Sequence, residues 1–422
     1  MTFLKTIREN KGKSLLIVGI ILTWVFLLIS FKVVGYEETW QTWGVPTEMP
    51  PFKDFRLIPG SAESFRNGFE PSVENPYDPN GRIFNYPFFW RLFFYTGITQ
   101  DDTIWIAITM IALFFIGVML FPQKLSIPGA IWTLLIVFSP ASMLLYERGN
   151  ADLIVFFICA MIVLATEYSG SLTTILILIG SVVKMFPLFG LSVLLKESKR
   201  RFIWLSVGSI LFMVVYSLLT FKSQSAAWNT TMRGDGLSYG SFVFVTRFNP
   251  YFQQYFPGLF SYDQWRLLFE ILAVILILIP AVFAIRGLRL PPQENRNMAA
   301  FRMGASIYVG TFLLGNNWDY RLAFLIFLVP QLSQWFYLEN KKQRYIAIGV
   351  MLGVILSCWH LVLLVDIPFL PFDNEIDRFV VFDELVNWLL LMGVTYLLAA
   401  TIPDWLKWDM QKIFGGKKQV SA

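Results

Sequence analysis

Apolar residues fill ten stretches of the chain with little polar interruption: 14–34, 104–121, 128–146, 152–167, 202–220, 266–285, 300–315, 320–338, 345–365 and 384–402. A run of roughly 17–25 apolar residues is long enough to cross a bilayer as an α-helix. Closed barrels apart, helices alone satisfy every backbone group inside lipid. The stretch 171–195 is equally apolar but is interrupted by Lys184 and Pro187. The pattern predicts an all-α polytopic membrane protein in one integral membrane domain, 1–422.

Polar positions between the runs orient them. Lys5, Arg8, Lys11 and Lys13 precede the first run and predict a cytoplasmic N-terminus, because Lys and Arg collect on that side. The basic stretches Lys196–Arg201, Arg286–Arg302 and Lys341–Arg344 are expected on the same side, with the tail residues Lys407, Lys412, Lys417 and Lys418. The segment 366–383 carries Asp366, Asp373, Glu375, Asp377 and Asp383 against Arg378 and is expected outside. Alternate counting puts Lys196–Arg201 on the wrong side if 171–195 crosses once. Splitting that stretch at Lys184–Pro187 restores the parity: proline removes a backbone donor and kinks a helix, and a lysine at depth needs a cavity lined by protein or water. The result is a bundle of about 11–12 transmembrane helices with both termini cytoplasmic.

Two connections expected on the outer side are long, 35–103 and 221–265, and both are rich in aromatic residues. Loops of such length are commonly functional. Within the first, Phe84–Tyr95 reads FNYPFFWRLFFY, too short and too aromatic for a span, and predicts a helix lying in the interface.

Composition agrees with lipid as the solvent: 56% of residues are hydrophobic, 15% charged, and the mean hydropathy is +0.57. Soluble domains carry about 25% charged residues. The aromatic share of 17% suits a lipid-facing surface with interfacial Trp and Tyr. The net charge of +5 follows from topology, since no basic patch sits on a soluble domain, so a nucleic-acid partner is not expected. Cys159 and Cys358 lie in apolar runs and read as packing residues; with a single histidine in the chain they leave no basis for a zinc site. The first run lacks a small-residue cleavage site, so no cleavable leader is expected.

Four polar clusters interrupt this apolar chain on the side expected to face outward. The first loop holds Asp54 directly after the aromatic segment Trp40–Phe52. A carboxylate there can serve as general base toward a hydroxyl; the plainer reading is a solvated acid paired with Lys53 or Arg56. The turn YERGNAD places Glu147, Arg148, Asn150 and Asp152 around Gly149 between two runs, either as end-caps or as a gripping site. Lys184 stands mid-run, where a charge costs about 2.5–3.5 kcal/mol on insertion scales, and so requires an acidic partner or an anionic ligand. The turn GNNWDYR brings Asn316, Asn317, Asp319 and Arg321 together, with Arg321 either holding a phosphate or pairing with Asp319. Arg233 and Arg247 in the second loop are further phosphate candidates. His360, the lone histidine, is either a packing residue or a phosphate contact.

The order of these elements resembles the GT-C glycosyltransferases, integral membrane enzymes that use lipid-phosphate sugars, and most of all glycosyltransferase family 87. In that family the loop aspartate is followed by an alanine, a glycine and an aromatic-Tyr-Pro element; Asp54, Ala62, Gly68 and Phe84-Asn85-Tyr86-Pro87 fit this spacing. Arg148-Gly149-Asn150-Ala151-Asp152 is similar to the Arg-Gly-Asn-Ala-Glu turn of the first GPI mannosyltransferase, and Lys184-Met185-Phe186-Pro187 to the Lys-aromatic-Pro element that follows it there. The likeness covers residues 14–200 by motif and 201–422 by hydropathy alone. Two departures bear on substrate choice: Phe88 replaces the family's second proline, and Ile58 and Pro59 replace its Tyr and Arg.

The resemblance implies a GT-C-like bundle with Asp54 as catalytic base. Its donor would be a polyprenyl-phosphate sugar, mannose foremost, and its acceptor a glycan or glycolipid. Arg148, Asn150, Lys184, Arg233, Arg247, Arg321 and His360 would contact donor phosphate or substrate, supported by Tyr86, Glu147, Asp152, Asn316, Asn317 and Asp319. No metal or cofactor is expected, because one leaving phosphate can be met by protein cations. Competing readings are a transporter or flippase of lipid-linked glycans, a polymerase or ligase using lipid-diphosphate glycans, and a non-catalytic envelope subunit. Asn229-Thr230-Thr231 is a glycosylation sequon relevant only in a eukaryote; the compact chain points to a bacterial cell membrane.

Overall fold

The first helix starts where Asn10 accepts a hydrogen bond from the Lys13 amide at 3.2 Å, satisfying one of the donors a helix N-terminus leaves open. The computed structural model describes residues 10–413 except 232–233, 235, 288–289, 291–293 and 364–374; side chains at 360–363, 375–378 and 411–413 are also outside the description. Arg233, the His360 side chain, most of the acidic stretch 366–383, and Lys412, Lys417 and Lys418 in the tail fall there.

Helix α1 (Lys11–Val33) leads into the first long connection, which contains α2 (Tyr36–Thr42), α3 (Lys53–Arg66) and two 3₁₀ segments, Phe88–Tyr95 and Gln100–Asp102. Then come α4 (Thr103–Leu120), α5 (Ile127–Val137), α6 (Pro140–Arg148), α7 (Asp152–Ala165), α8 (Gly170–Val183), a 3₁₀ segment Phe186–Lys196 and α9 (Lys199–Leu219). The second connection holds α10 (Phe221–Thr230), a short strand β1 (Ser238–Tyr239) and α11 (Val243–Tyr255). The remainder is α12 (Tyr262–Arg286), α13 (Arg296–Leu313), β2 (Asn317–Trp318), a 3₁₀ segment Asp319–Leu328, α14 (Val329–Trp335), α15 (Lys341–Leu363), α16 (Glu375–Ala400) and α17 (Asp404–Ile413).

Among the described residues, five helices are long and apolar enough to cross a membrane: Lys11–Val33, Gln100–Leu120, Lys199–Leu219, Tyr262–Arg286 and Phe379–Ala400. The chain is therefore an all-α polytopic membrane protein. Helices α1, α9 and α12 leave most of their apolar side chains uncovered, Leu22, Leu219 and Phe283 among them. Such rows suit lipid as the surrounding solvent. Helices α7 and α13 lie inside, and Phe156 packs on Phe324 and Phe327 with centroids 5.5 and 4.5 Å apart.

Several runs that read as single spans are broken. The run 128–146 divides into α5 and α6, bent by 52°. Pro140 cannot donate into α5, and the Ser139 hydroxyl caps the new helix by accepting from the Ser142 amide at 3.3 Å. The pair counts as a sixth span if taken as one. The run 320–338 is a 3₁₀ segment followed by α14, which opens at Val329 with Pro330 in its first turn. The stretch 171–195 is broken at Lys184, as expected, but its second half is 3₁₀. Phe84–Tyr95 is likewise 3₁₀, beginning only after Pro87; it buries Trp90 and Phe94 and exposes Phe88, Leu92 and Tyr95.

The bundle has two chemically different ends. At one, Arg296 pairs with Glu167, Arg302 reaches Glu294 at 2.8 and 2.9 Å, and the Asn297 side chain binds the backbone at Gln123 and Lys124. Lys196 joins Arg296 and Arg302 around a cleft of about 400 Å³. Gly12 packs on the Leu125 carbonyl at this end. Helix α7 runs from here to the other end, where Asp152 starts it.

Candidate active site

Helix α6 stops at Gly149, which takes a left-handed φ of 57° and lets the Gly149 and Asn150 amides cap the Tyr146 and Leu145 carbonyls at 3.1 and 3.3 Å. A β-carbon on Gly149 would stand 2.9 Å from that of Phe52. Phe52 is itself left-handed, with φ 62°, and immediately precedes α3. These two tight turns set the start of α3 against the end of α6, so Asp54, in the first turn of α3, reaches Asn150.

The Asp54 carboxylate has two different sides. Its Oδ2 accepts from the Asn150 amide nitrogen at 2.7 Å. Its Oδ1 faces the Arg82 guanidinium at 3.9 Å. Arg82 is held in place by bonds to Asp78 at 2.8 and 3.1 Å and to the Lys53 carbonyl at 2.6 Å. Neither neighbour in sequence pairs with Asp54: Lys53 binds Glu48, and Arg56 binds the Pro51 carbonyl and Gln100. Tyr86 donates to the Asp54 carbonyl at 3.3 Å. Burial, aided by the negative charge of Asp54, pushes the Tyr86 phenol well above its usual range, so it remains a neutral donor.

Behind Asn150 lies a buried ionic group. Helix α8 ends at Val183, whose carbonyl accepts from the Trp90 indole at 3.1 Å, and Lys184 is extended. The Lys184 ammonium binds the Asn150 carbonyl oxygen at 2.9 Å and pairs with Asp152. Asp152, fully buried, also accepts from Arg321 Nε at 3.2 Å. Arg321 further binds the Asn317 carbonyl oxygen and lies 4.8 Å from the Phe186 ring centroid. Its hydrogen bonds thus go to Asp152 and Asn317, and Lys184 has an acidic partner. Two cations share one carboxylate here, leaving the group with a net positive charge.

Arg148 faces a different set: Glu48 at 3.4 Å, Glu147 at 3.3 Å and the Pro46 carbonyl at 3.3 Å. The Glu48 amide donates to Glu147 at 3.4 Å. The bond from Lys53, against some desolvation and with help from Arg148, holds the Glu48 carboxyl below the usual range. Arg148 therefore straps the first connection to the end of α6.

The third cluster is anchored by a two-residue antiparallel ribbon in which Ser238 pairs with Trp318 and Tyr239 with Asn317. Asn316 donates to the Gly234 carbonyl, Asn317 to the Thr311 carbonyl at 2.6 Å, and the Asp319 amide to the Leu237 carbonyl at 3.0 Å. Asp319 is fully buried. Arg247 lies half-buried on α11.

Asp54, Asn150, Lys184, Asp152, Arg321 and Asn317 thus form one continuous polar chain drawn from four separate parts of the sequence, with Tyr86 against it. Arg82 escaped the sequence reading, although the Asp78-Pro-Asn-Gly-Arg82 stretch is a turn signal that returns Arg82 toward α3. Among the described residues, no group of three or more His, Cys, Asp or Glu is placed to hold a metal ion. No curated protein and no solved structure matches the chain. The sequence model of glycosyltransferase family 87 matches residues 84–315, more than half of the chain. That stretch contains Tyr86, the Arg148–Asp152 turn and Lys184, with Asp54 before it and Arg321 after it. A bundle of membrane helices that gathers these motifs at one end, and a family match of this extent, identify the chain as a membrane glycosyltransferase belonging to glycosyltransferase family 87.

Proposed function

We propose that this transferase moves a hexose, mannose foremost, from a polyprenyl-phosphate carrier to a hydroxyl of a glycan or glycolipid, inverting the anomeric centre, on the outer face of a bacterial cell membrane. The observation that carries the reading is the Asp54 carboxylate, held by Asn150 at one end of an apolar bundle and backed by an ionic group with a surplus of positive charge. Asp54 removes the proton of the acceptor hydroxyl. That oxygen bonds to the anomeric carbon as the bond from this carbon to the phosphate oxygen breaks. The electron pair leaves with the polyprenyl phosphate. Cations aimed at the leaving oxygen stabilise the charge that develops there, and an arginine fork matches a phosphate. Arg321, Lys184 and Arg82 are nearest this chemistry, with Arg148 at its border and Arg233, Arg247 and His360 as further candidates.

The two ends of the bundle support this face. Lys196, Arg296 and Arg302 gather at the end opposite Asp54, and such residues concentrate on the cytoplasmic side. A transferase facing outward needs a sugar already carried by a lipid.

The test is transfer by purified protein from polyprenyl-phosphate mannose to an alkyl mannoside, beside nucleotide-sugar and lipid-diphosphate donors. The lipid-monophosphate donor should be used, and Asp54→Asn should lower transfer by roughly 10²–10⁴-fold with the fold retained. Undiminished transfer in Asp54→Asn would remove Asp54 as the base. Movement of lipid across vesicles without a new glycosidic bond would favour a flippase instead.

A further inference from the structure

Asn150 was expected to contact substrate, yet the structure occupies both ends of its side chain. Its carbonyl oxygen receives the Lys184 ammonium at 2.9 Å and the Asp152 amide at 3.0 Å. Its nitrogen meets Asp54 at 2.7 Å. The residue is 4% exposed.

An amide can be turned over in place, so its orientation must be argued from its partners. Ammonium and backbone N–H groups only donate. The atom facing both must therefore be the Asn150 oxygen, and the nitrogen is forced toward Asp54. Lys184 in turn is held by Asp152, which Arg321 also grips.

We infer that Asn150 is a positioning residue: Lys184 and the Asp152 backbone amide together lock its side chain so that Nδ2 donates to Asp54 Oδ2, leaving Asp54 Oδ1, on the Arg82 side, as the oxygen that takes the acceptor's proton. The inference rests on Asp54 being the base. An oxygen that accepts a strong hydrogen bond is the poorer site for a new proton. Oδ1 stands 3.9 Å from Arg82, too far for a hydrogen bond. The acceptor hydroxyl would thus approach between Asp54 and Arg82. Among the described residues, Lys184, Glu147, Tyr86 and Tyr320 also act on Asp54.

Asn150→Asp separates this role from a structural one. The carboxylate keeps an oxygen for Lys184 and for the Asp152 amide, loses the donor to Asp54 and sets a second negative charge against it. In the wild type, infrared difference spectra against Asp54→Asn report the protonation of Asp54 with no substrate present. The protonated-carboxyl band of Asp54 should persist to higher pH in Asn150→Asp than in the wild type, because a bond to the charged form is replaced by a second carboxylate. Transfer should fall roughly ten- to a hundred-fold, through kcat with the donor KM unchanged, and its acid limb should move with the band. Lys184→Gln, which leaves the Asp152 backbone amide as the remaining fixed donor to the Asn150 oxygen, should show a smaller shift of the same sign and provides the measurement if Asn150→Asp fails to fold. An Asp54 band that fades at the same pH as in the wild type, or a loss confined to donor KM, would overturn the positioning role while leaving Asp54 as the base. Full transfer by Asp54→Asn would instead remove the base itself.

Discussion

Gly149 and Phe52 meet back to back, each in a left-handed backbone conformation, so closely that a methyl group on Gly149 would lie 2.9 Å from the Phe52 β-carbon. This contact sets the loop that carries Asp54 against the turn that carries Asn150. Gly149→Ala should therefore cost about 1–3 kcal/mol from backbone strain and reduce transfer more than the melting temperature suggests. Adding Phe52→Gly removes the clash and should return part of the activity without removing the strain. A double-mutant cycle on both quantities measures the coupling; additive losses in transfer would show that the contact does not place Asp54.

The buried ionic group makes an asymmetric prediction. Lys184→Met leaves Asp152 with Arg321, whereas Asp152→Leu leaves two cations without a counter-charge. Breaking a buried pair by removing one partner costs about 3–5 kcal/mol. Asp152→Leu should lose that much or fail to accumulate, and Lys184→Met should lose distinctly less. Thermal unfolding in detergent checks the order, and equal losses would contradict the shared arrangement.

Arg82 is fixed by Asp78 and the Lys53 carbonyl and faces Asp54. Arg82→Lys keeps the charge and loses the fork, while Arg82→Gln loses both. Transfer should fall in the order wild type, Arg82→Lys, Arg82→Gln, with roughly tenfold lost in the last. Assays at saturating donor decide it; full activity in Arg82→Gln would place the acceptor elsewhere.

Glu48 carries a pH dependence whose sign follows from its lowered carboxyl. A carboxyl depressed in the folded state adds stability above its unfolded range, and that stability is lost as pH falls through the folded value. Wild type should exceed Glu48→Gln in melting temperature at neutral pH, by an amount on the order of 1–2 °C. The difference should close below the ordinary glutamate range. Melting curves at pH 7 and in acid test this, and a gap that widened on acidification would reverse the assignment.

What was legible in the sequence was whatever depends on local pattern. Uninterrupted apolar runs announced the helices, Lys184–Pro187 announced the break after α8, and the polar turns announced where chemistry could sit. What depended on distant partners stayed hidden. Arg82 carries no mark of facing Asp54 until the turn at Gly81 folds it back. Arg321 reads by adjacency as either a phosphate ligand or a partner of Asp319, whereas the acid it pairs with is Asp152 on another helix. The division of 128–146 at Ser139–Pro140 was written in the chain, but hydropathy averaged over a window conceals a single missing donor. The stretches 319–328 and 88–95 have apolar content enough for α-helix, yet both wind as 3₁₀, which no periodicity in the chain records.

The ribbon of Ser238–Tyr239 with Asn317–Trp318 makes the tail of the second connection and the root of Arg321 one mechanical piece. Gly240 lies directly on the Gly315 carbonyl, so nothing can be wedged into that crossing. Changes within α10 should therefore leave Arg321 where it is.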